Sequence, residues 1–78
     1  MLLYIFNLKS NIMAVLKVIE VLANSNKSWE EATENAVKHA SKSVKNIRSV
    51  YLNEQTAVVE DGKVTEYRVN VKLTFEVK

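Results

Sequence analysis

The sequence contains no cysteine, no proline, one glycine and one histidine. Without cysteine, the chain cannot build a disulfide scaffold, a thiolate zinc site or a cysteine nucleophile. A single glycine excludes a phosphate-binding glycine loop and a dinucleotide-binding fingerprint. The lone His39 cannot form a histidine metal cluster, and its place among lysines on a predicted helix indicates a solvated side chain.

An excess of charge of one sign is also lacking. The 78 residues carry 11 Lys and Arg against 9 Asp and Glu, a formal net charge of +2. Nucleic-acid-binding domains usually show a basic patch or stripe, so we expect no nucleic-acid partner. The composition is otherwise that of a globular domain, with 47% hydrophobic and 26% charged residues. Small chains without disulfides or metal often reach sufficient apolar burial by association, so we expect an oligomer.

The first residues of the chain are apolar as far as Phe6. This segment lacks the basic start and the small-residue cleavage site of a signal peptide, and it is far short of a membrane span. We therefore interpret residues 1–12 as an N-terminal extension and residues 13–78 as one domain. The alternative is that the extension adds a strand or anchor to an assembly. We expect a cytoplasmic protein without a membrane partner.

The residues after Met13 predict the order strand, helix, strand, strand. Ala14–Leu22 is rich in β-branched residues and predicts a strand that is apolar on both faces. Ser28 and Glu31 have capping-box spacing, in which each side chain accepts a hydrogen bond from the backbone amide of the other residue. The apolar period that follows predicts a helix from Ser28 to Lys45.

A long hairpin follows the predicted helix. Ile47–Val59 and Val64–Lys78 predict the two strands, and Asp61-Gly62 between them predicts a type I′ turn. This turn places Glu60 opposite Lys63 and fixes the pairing of the remaining residues.

An uninterrupted ladder from that turn assigns each side chain of the hairpin to one face of the sheet. It places Val50 opposite Leu73, Leu52 opposite Val71 and Thr56 opposite Tyr67, all toward the helix. It places Ser49, Tyr51, Asn53 and Gln55 on the other face, with Gln55 opposite Arg68. Glu54 does not fit, because the ladder turns it toward the core. Either a bulge redirects Glu54 or it lies at the sheet margin.

One helix can cover one face of a three-stranded sheet. The first predicted strand, which is apolar on both faces, therefore requires a second partner. We expect that partner to be another copy of the chain.

With these elements in place, the sequence resembles the dodecins, small flavin-binding proteins that form hollow homododecamers. The resemblance covers Ala14 to Val77 and is carried by KVIEVLANSNKSWEEATENAVKHA at 17–40 and NIRSVYLNEQTAVVEDGKVTEYRVNVKLTFEV at 46–77. It implies an α+β fold of β-α-β-β order, in which a three-stranded antiparallel sheet partly wraps around one helix. It also implies that twelve copies close into a shell.

The resemblance further implies a site for riboflavin, FMN or FAD, but both main contact positions differ in this chain. Dodecins stack a Trp near the start of the second strand on the flavin ring, and this position is Ser49 here. They hold the polar edge of the ring with a Gln after a Tyr in the third strand, and this position is Arg68. Ser49 offers no stacking surface, and Arg68 has donors only. The chain resembles the Trp-lacking branch, which implies a divalent cation such as calcium.

Five residues are candidates for ligand binding: Ser49, Tyr51, Glu54, Gln55 and Arg68. Tyr51 is the remaining aromatic platform on that face, and a subunit contact is an equally weighted alternative. Glu54 stands where dodecins often carry an acid near the sugar-alcohol chain of the flavin. Trp29, in the first helical turn, is interpreted as a core residue. Metal ligands cannot be assigned, because no calcium-loop pattern is present.

These observations predict a non-catalytic homo-oligomeric shell that binds or stores a small ligand, with flavin as the ligand implied by the family. Two alternatives remain: a shell that binds a cation or an anion through Arg68 and strand carboxylates at subunit junctions, and a structural or interaction module without a small ligand. Glu30, Glu31 and Glu34 match the helix dipole better than an acid–base pair, so we expect no enzyme.

Overall fold

The computed structural model describes residues 14–78, and the predicted N-terminal extension lies outside the described residues. The elements are β1 (Val15–Ser25), α1 (Trp29–Ala40), β2 (Ile47–Glu60) and β3 (Lys63–Val77). The predicted α+β class and the order of the elements are confirmed. Across residues 14–78, no helix is both long enough and apolar enough to cross a membrane.

The three strands form one antiparallel sheet with β3 in the centre and β1 and β2 at its edges. β1 pairs with β3 along its whole length, from Val15 opposite Val77 to Ser25 opposite Tyr67. Because side chains alternate along a strand, the sheet has a helix face, toward α1, and an open face on the other side. On β3, the open face carries Arg68, Asn70, Lys72 and Thr74.

The core is a thin layer between α1 and the helix face. Its buried residues are three alanines of the helix and three branched residues of β3: Ala32, Ala36, Ala40, Val69, Val71 and Leu73. Full burial of Leu73 contributes about 1.5–3 kcal/mol to the free energy of unfolding. α1 packs mainly on β1 and β3. Val50 and Leu52 of β2, on the helix face as predicted, therefore remain 36% and 39% exposed.

The start of α1 is fixed by hydroxyl and carboxylate groups. Ser28 is the N-cap, and its Oγ accepts a hydrogen bond from the Glu31 amide at 2.9 Å, as predicted. The other half of the predicted capping box is wrong. The Glu31 carboxylate accepts from the hydroxyl of Ser25, and Ser25 Oγ accepts from the amides of Lys27 at 2.9 Å and Ser28 at 3.4 Å. The buried Ser25 thus links the end of β1 to the helix.

The helix ends at Ala40, before the predicted Lys45. The chain tightens into a turn there, with the Lys42 amide donating to His39 O at 3.2 Å and the Ser43 amide donating to Ala40 O at 3.1 Å. Asn46 then adopts a φ of 63°, a left-handed conformation that asparagine tolerates better than most residues. This change of direction leads into β2.

The hairpin turn is as predicted, but the far end of the ladder is not, because a register shift between Ile47 and Ser49 places Ile47 opposite Phe75 instead of Glu76. Asp61 and Gly62 have φ of 52° and 76°, the two positive values that a type I′ turn requires. Glu60 lies opposite Lys63. The predicted pairs Val50 with Leu73 and Leu52 with Val71 are also present.

The middle of the ladder differs from the prediction because both strands of the hairpin are irregular, with Thr65 of β3 and Asn53 of β2 left without a partner. Register shifts between Val58 and Val59 and between Leu52 and Glu54 displace the intervening pairs by one residue. Thr56 therefore lies opposite Arg68 instead of Tyr67, which pairs with Ala57.

Candidate functional site

The irregularity after Leu52 determines which carboxylate reaches the open face. Strict alternation would place Leu52 and Glu54 on the same face, toward the helix. The extra residue, Asn53, turns Glu54 to the open face, where it lies opposite Asn70. Of the two options that the sequence left for Glu54, the bulge is confirmed. Gln55 is displaced in the opposite sense and pairs with Val69, so its predicted place on the open face opposite Arg68 is wrong.

A shallow depression of about 370 Å³ crosses all three strands on the open face. Two rows of opposed side chains line it, each with one residue from β1, β3 and β2: Leu22, Asn70 and Glu54 in one row, and Asn24, Arg68 and Thr56 in the other. Opposed side chains have Cβ atoms about 4.5–5.5 Å apart. The two rows are about 7 Å apart, since they lie two residues apart along each strand.

Asn70 is the central residue of the first row. Its Oδ1 is buried and has no hydrogen-bond partner among residues 14–78. Leaving a buried acceptor unpaired costs about 1–3 kcal/mol, which a bound donor or cation would recover. Glu54, directly opposite, brings a carboxylate to the same place, and carboxylate and amide oxygens are ligands that calcium prefers.

A single chain does not complete a cation site with these two oxygens. No group of three or more His, Asp or Glu side chains comes together within the part of the chain that the structure describes. Calcium takes six to eight oxygen ligands, from carboxylates, carbonyls and water. Glu54 and Asn70 therefore constitute part of a coordination sphere.

Arg68 is the central residue of the second row. Its Nη2 lies 3.3 Å from Glu66 Oε1, and its side chain is 57% exposed. An exposed ion pair of this kind contributes about 0–1 kcal/mol, so a ligand can displace it at little cost. Asn24 and Thr56 flank Arg68, and the row presents an amide, a guanidinium and a hydroxyl side by side.

Ser49 and Tyr51 are on the open face, as predicted, but they do not line the depression. Ser49 lies opposite Thr74, and Tyr51 lies opposite Lys72 with 63% of its surface exposed. Of the five sequence candidates, the structure brings Glu54 and Arg68 together.

Three other polar residues of the depression were not predicted from the sequence: Asn24, Thr56 and Asn70. Strict alternation along β3 places Asn70 on the same face as Arg68, and this was a usable signal. Thr56 reaches that face because of the irregularity in β2, which leaves no mark in the sequence.

Trp29 contacts β2 from the helix face, at the position where β2 lines the depression. Its Nε1 donates a hydrogen bond to the carbonyl oxygen of Thr56 at 2.8 Å. Its ring meets Tyr67 edge to face, with centroids 5.0 Å apart and planes at 75°. It also packs against the buried core, which confirms the predicted packing role.

A separate group of charges lies where β2 begins beside the end of β3. Arg48 donates to Glu76 Oε1 through Nη2 at 2.7 Å and through Nε at 3.1 Å. This hydrogen bond lowers the pKa of the Glu76 carboxyl below its ordinary value, and the charge of Lys78, with Nζ 3.9 Å from Oε1, acts in the same direction. Its residues do not line the depression, and we assign it to strand pairing.

Comparison with known proteins agrees with this fold. A family model described as Dodecin matches residues 15–78. The chain is 39% identical to calcium dodecin from Mycobacterium tuberculosis over 67 aligned residues. The alignment covers 85% of this chain and 93% of that protein.

Solved structures give the same result. The crystal structure of that calcium dodecin, described as calcium chelating with a novel calcium-binding site, is 37% identical with a TM-score of 0.71, covering 82% of this chain and 91% of the other. Dodecin from Streptomyces coelicolor has a TM-score of 0.80 at 28% identity, covering 83% and 93% of the two chains. Because the family model matches nearly every described residue, this chain belongs to the dodecin family.

Proposed function

We propose that the chain forms a non-catalytic homododecameric shell that binds a small ligand in the depression of its open face. Support for the assembly comes from the apolar side chains that α1 leaves uncovered. On the open face, Leu16, Val18 and Leu22 of the edge strand β1 are 57%, 58% and 76% exposed. Several large apolar side chains exposed along one edge strand mark a protein contact, and further copies of the chain would cover them.

We propose calcium as the ligand. The observation that carries this proposal is the buried, unpaired Oδ1 of Asn70 opposite the carboxylate of Glu54. The relative named calcium dodecin supports the same ligand. Since one chain supplies few oxygen ligands, further copies or water would complete the coordination sphere.

Calorimetric titration of the assembled protein with calcium chloride tests this ligand. We expect saturable binding that falls at least tenfold in Glu54→Gln. Glu20→Gln is the matched control, because Glu20 lies on the same face opposite Lys72 but does not line the depression. No heat of binding at millimolar calcium, or equal losses in the two variants, would contradict the proposal.

Flavin is the second candidate ligand. The volume of the depression, about 370 Å³, lies within the range of small-molecule sites, and the exposed Tyr51 offers an aromatic face nearby. Ser49 and Arg68 oppose this candidate, because neither reproduces the contacts that the family uses. Riboflavin and FMN fluorescence should be quenched on titration with the protein if flavin binds. Absence of quenching at tens of micromolar protein would reject flavin.

A further inference from the structure

The second row of the depression has a chemistry opposite to that of the first. Asn24, Arg68 and Thr56, here called the donor row, each carry a hydrogen-bond donor, and Arg68 adds a positive charge. We propose that the donor row binds a phosphate group. This inference goes beyond the proposed calcium site, because the donor row does not require the cation.

The arrangement of the donor row suits a tetrahedral oxyanion. The guanidinium fork of Arg68 matches two phosphate oxygens, and charge-assisted pairs of this kind are roughly twice as strong as neutral hydrogen bonds. Asn24 and Thr56 lie opposite Arg68 on the two neighbouring strands, so their donors approach from either side. These donors can reach the phosphate oxygens that the guanidinium of Arg68 does not bind. A phosphate bound to the fork keeps at least one further oxygen for the flanking donors, whereas a carboxylate has only the two oxygens that the fork already engages.

The two arginines of the sheet differ in how firmly they are held. Arg48 makes two hydrogen bonds to Glu76, at 2.7 and 3.1 Å. Arg68 makes one longer contact, at 3.3 Å, to Glu66, and both of these side chains reach solvent. When a ligand displaces Glu66 from Arg68, the Glu66 carboxylate becomes hydrated. Replacing this ion pair therefore costs the ligand little binding free energy.

Glu54 is the carboxylate that shares the depression with the donor row. Glu54 stands one row, about 7 Å, away along the sheet, and its charge weakens the binding of an anion without preventing it. Neutralising Glu54 should therefore raise phosphate affinity severalfold at low salt. A calcium ion held by Glu54 would also raise phosphate affinity. By linkage, bound phosphate would raise calcium affinity by the same factor.

Titration of the assembled full-length protein with inorganic phosphate, in calcium-free buffer of low ionic strength, tests the donor row. We expect saturable binding that weakens at least tenfold in Arg68→Gln and less in Arg68→Lys, which keeps the charge but loses the fork. Lys72→Gln is the matched control, since Lys72 lies on the same strand and face but outside the depression. It should bind phosphate as the wild type does. Circular dichroism and size measurements exclude a folding defect in each variant.

The phosphate group can arrive as the free ion or as part of a larger molecule. FMN and riboflavin, which differ by one phosphate, separate these sources. A preference for FMN that disappears in Arg68→Gln indicates a ligand-borne phosphate, whereas binding of inorganic phosphate without that preference indicates the free ion. The proposal is overturned if neither inorganic phosphate binding nor a preference for FMN is found. It is also overturned if Arg68→Gln and Lys72→Gln behave alike. Calcium titration of Arg68→Gln in phosphate-free buffer tests the calcium site independently.

Discussion

Trp29 donates a hydrogen bond from its indole Nε1 to the backbone carbonyl of Thr56, 2.8 Å away. This contact joins the first turn of α1 to β2 at the point where β2 lines the depression. Elsewhere α1 packs mainly on β1 and β3, so Trp29 is a principal connection between the helix and the third strand of the sheet. The same residue therefore contributes to stability and to the shape of the depression.

Replacing Trp29 by Phe should lower the free energy of unfolding by about 0.5–1.5 kcal/mol, the usual contribution of one hydrogen bond. Phe keeps an aromatic ring near Tyr67 and removes the donor. Urea unfolding followed by circular dichroism measures the change, at one fixed protein concentration because the stability of an oligomer depends on it. Tyr51→Phe, which also removes a polar group from an aromatic ring, is the control and should be neutral. Equal stability of Trp29→Phe and wild type would contradict this role.

Ser25→Ala should destabilise the protein by about 1–3 kcal/mol. The buried Ser25 hydroxyl donates to Glu31 and accepts from two backbone amides, so its removal leaves several polar groups without their partner. Ser41→Ala, in which an exposed hydroxyl that donates to Val37 O is lost, should change stability by less than about 0.5 kcal/mol. Chemical unfolding of both variants measures the difference. Equal losses of unfolding free energy in the two variants would show that the Ser25 hydrogen bonds stabilise the protein no more than those of an exposed hydroxyl.

The Arg48–Glu76 pair makes part of the stability dependent on pH. The hydrogen bond from Arg48 lowers the pKa of Glu76 in the folded protein below its ordinary value of 4.5, so the unfolded chain binds the proton more readily. This contribution is complete above pH 4.5 and is lost as the pH falls through the lowered pKa. The urea midpoints of wild type and Glu76→Gln should therefore converge below pH 4.5. The urea midpoint of Arg48→Gln should approach that of the wild type over the same pH range. If the difference in midpoint from the wild type does not change with pH in either variant, the linkage is excluded.

Much of the fold was readable from the sequence because local signals agree with one another. Alternation in β3, the Asp61-Gly62 turn and the Ser28 cap specify the third strand, the hairpin and the start of the helix. The pair of Glu60 with Lys63 follows from turn geometry alone. These features depend on residues close together in the chain, which a pattern can capture.

The candidate site was less predictable because it depends on irregularities in the pairing of β2 with β3. Side chains alternate with a period of two, so one extra residue moves every following side chain to the other face until a second irregularity restores the ladder. Between Leu52 and Val58 this moved Glu54 and Thr56 onto the open face and Gln55 off it. No glycine or proline marks either position. The end of α1 was missed because the apolar spacing continues to Val44, although the chain leaves the helix at Ala40 in turn bonds such as that from the Ser43 amide to Ala40 O.

The exposed side chains of β1 provide a test of the proposed shell. Val18 is 58% exposed on the open face, opposite Thr74. If copies of the chain cover this surface, Val18→Lys would bury a charge at the contact and should break the shell into smaller species, whereas Val18→Ile should leave it intact. Light scattering after size-exclusion chromatography measures the mass, which for wild type should be near twelve times 8.9 kDa. A soluble, well-folded wild-type monomer at micromolar concentration would contradict the assembly.

The double variant Ser49→Trp with Arg68→Gln should bind flavin more tightly than the wild type. Ser49 and Arg68 both lie on the open face, opposite Thr74 and Thr56 respectively, so the new side chains would project on the same side of the sheet. Trp supplies a flat π surface for the flavin ring, and Gln supplies both a donor and an acceptor for its polar edge. Quenching of riboflavin fluorescence measures the gain, and each single variant should restore less affinity than the pair. An assembled double variant that binds no riboflavin would show that these two positions do not account for the difference from flavin-binding dodecins. Riboflavin is the decisive probe, because it lacks the phosphate group that Arg68 is proposed to bind and so reports the ring contacts alone.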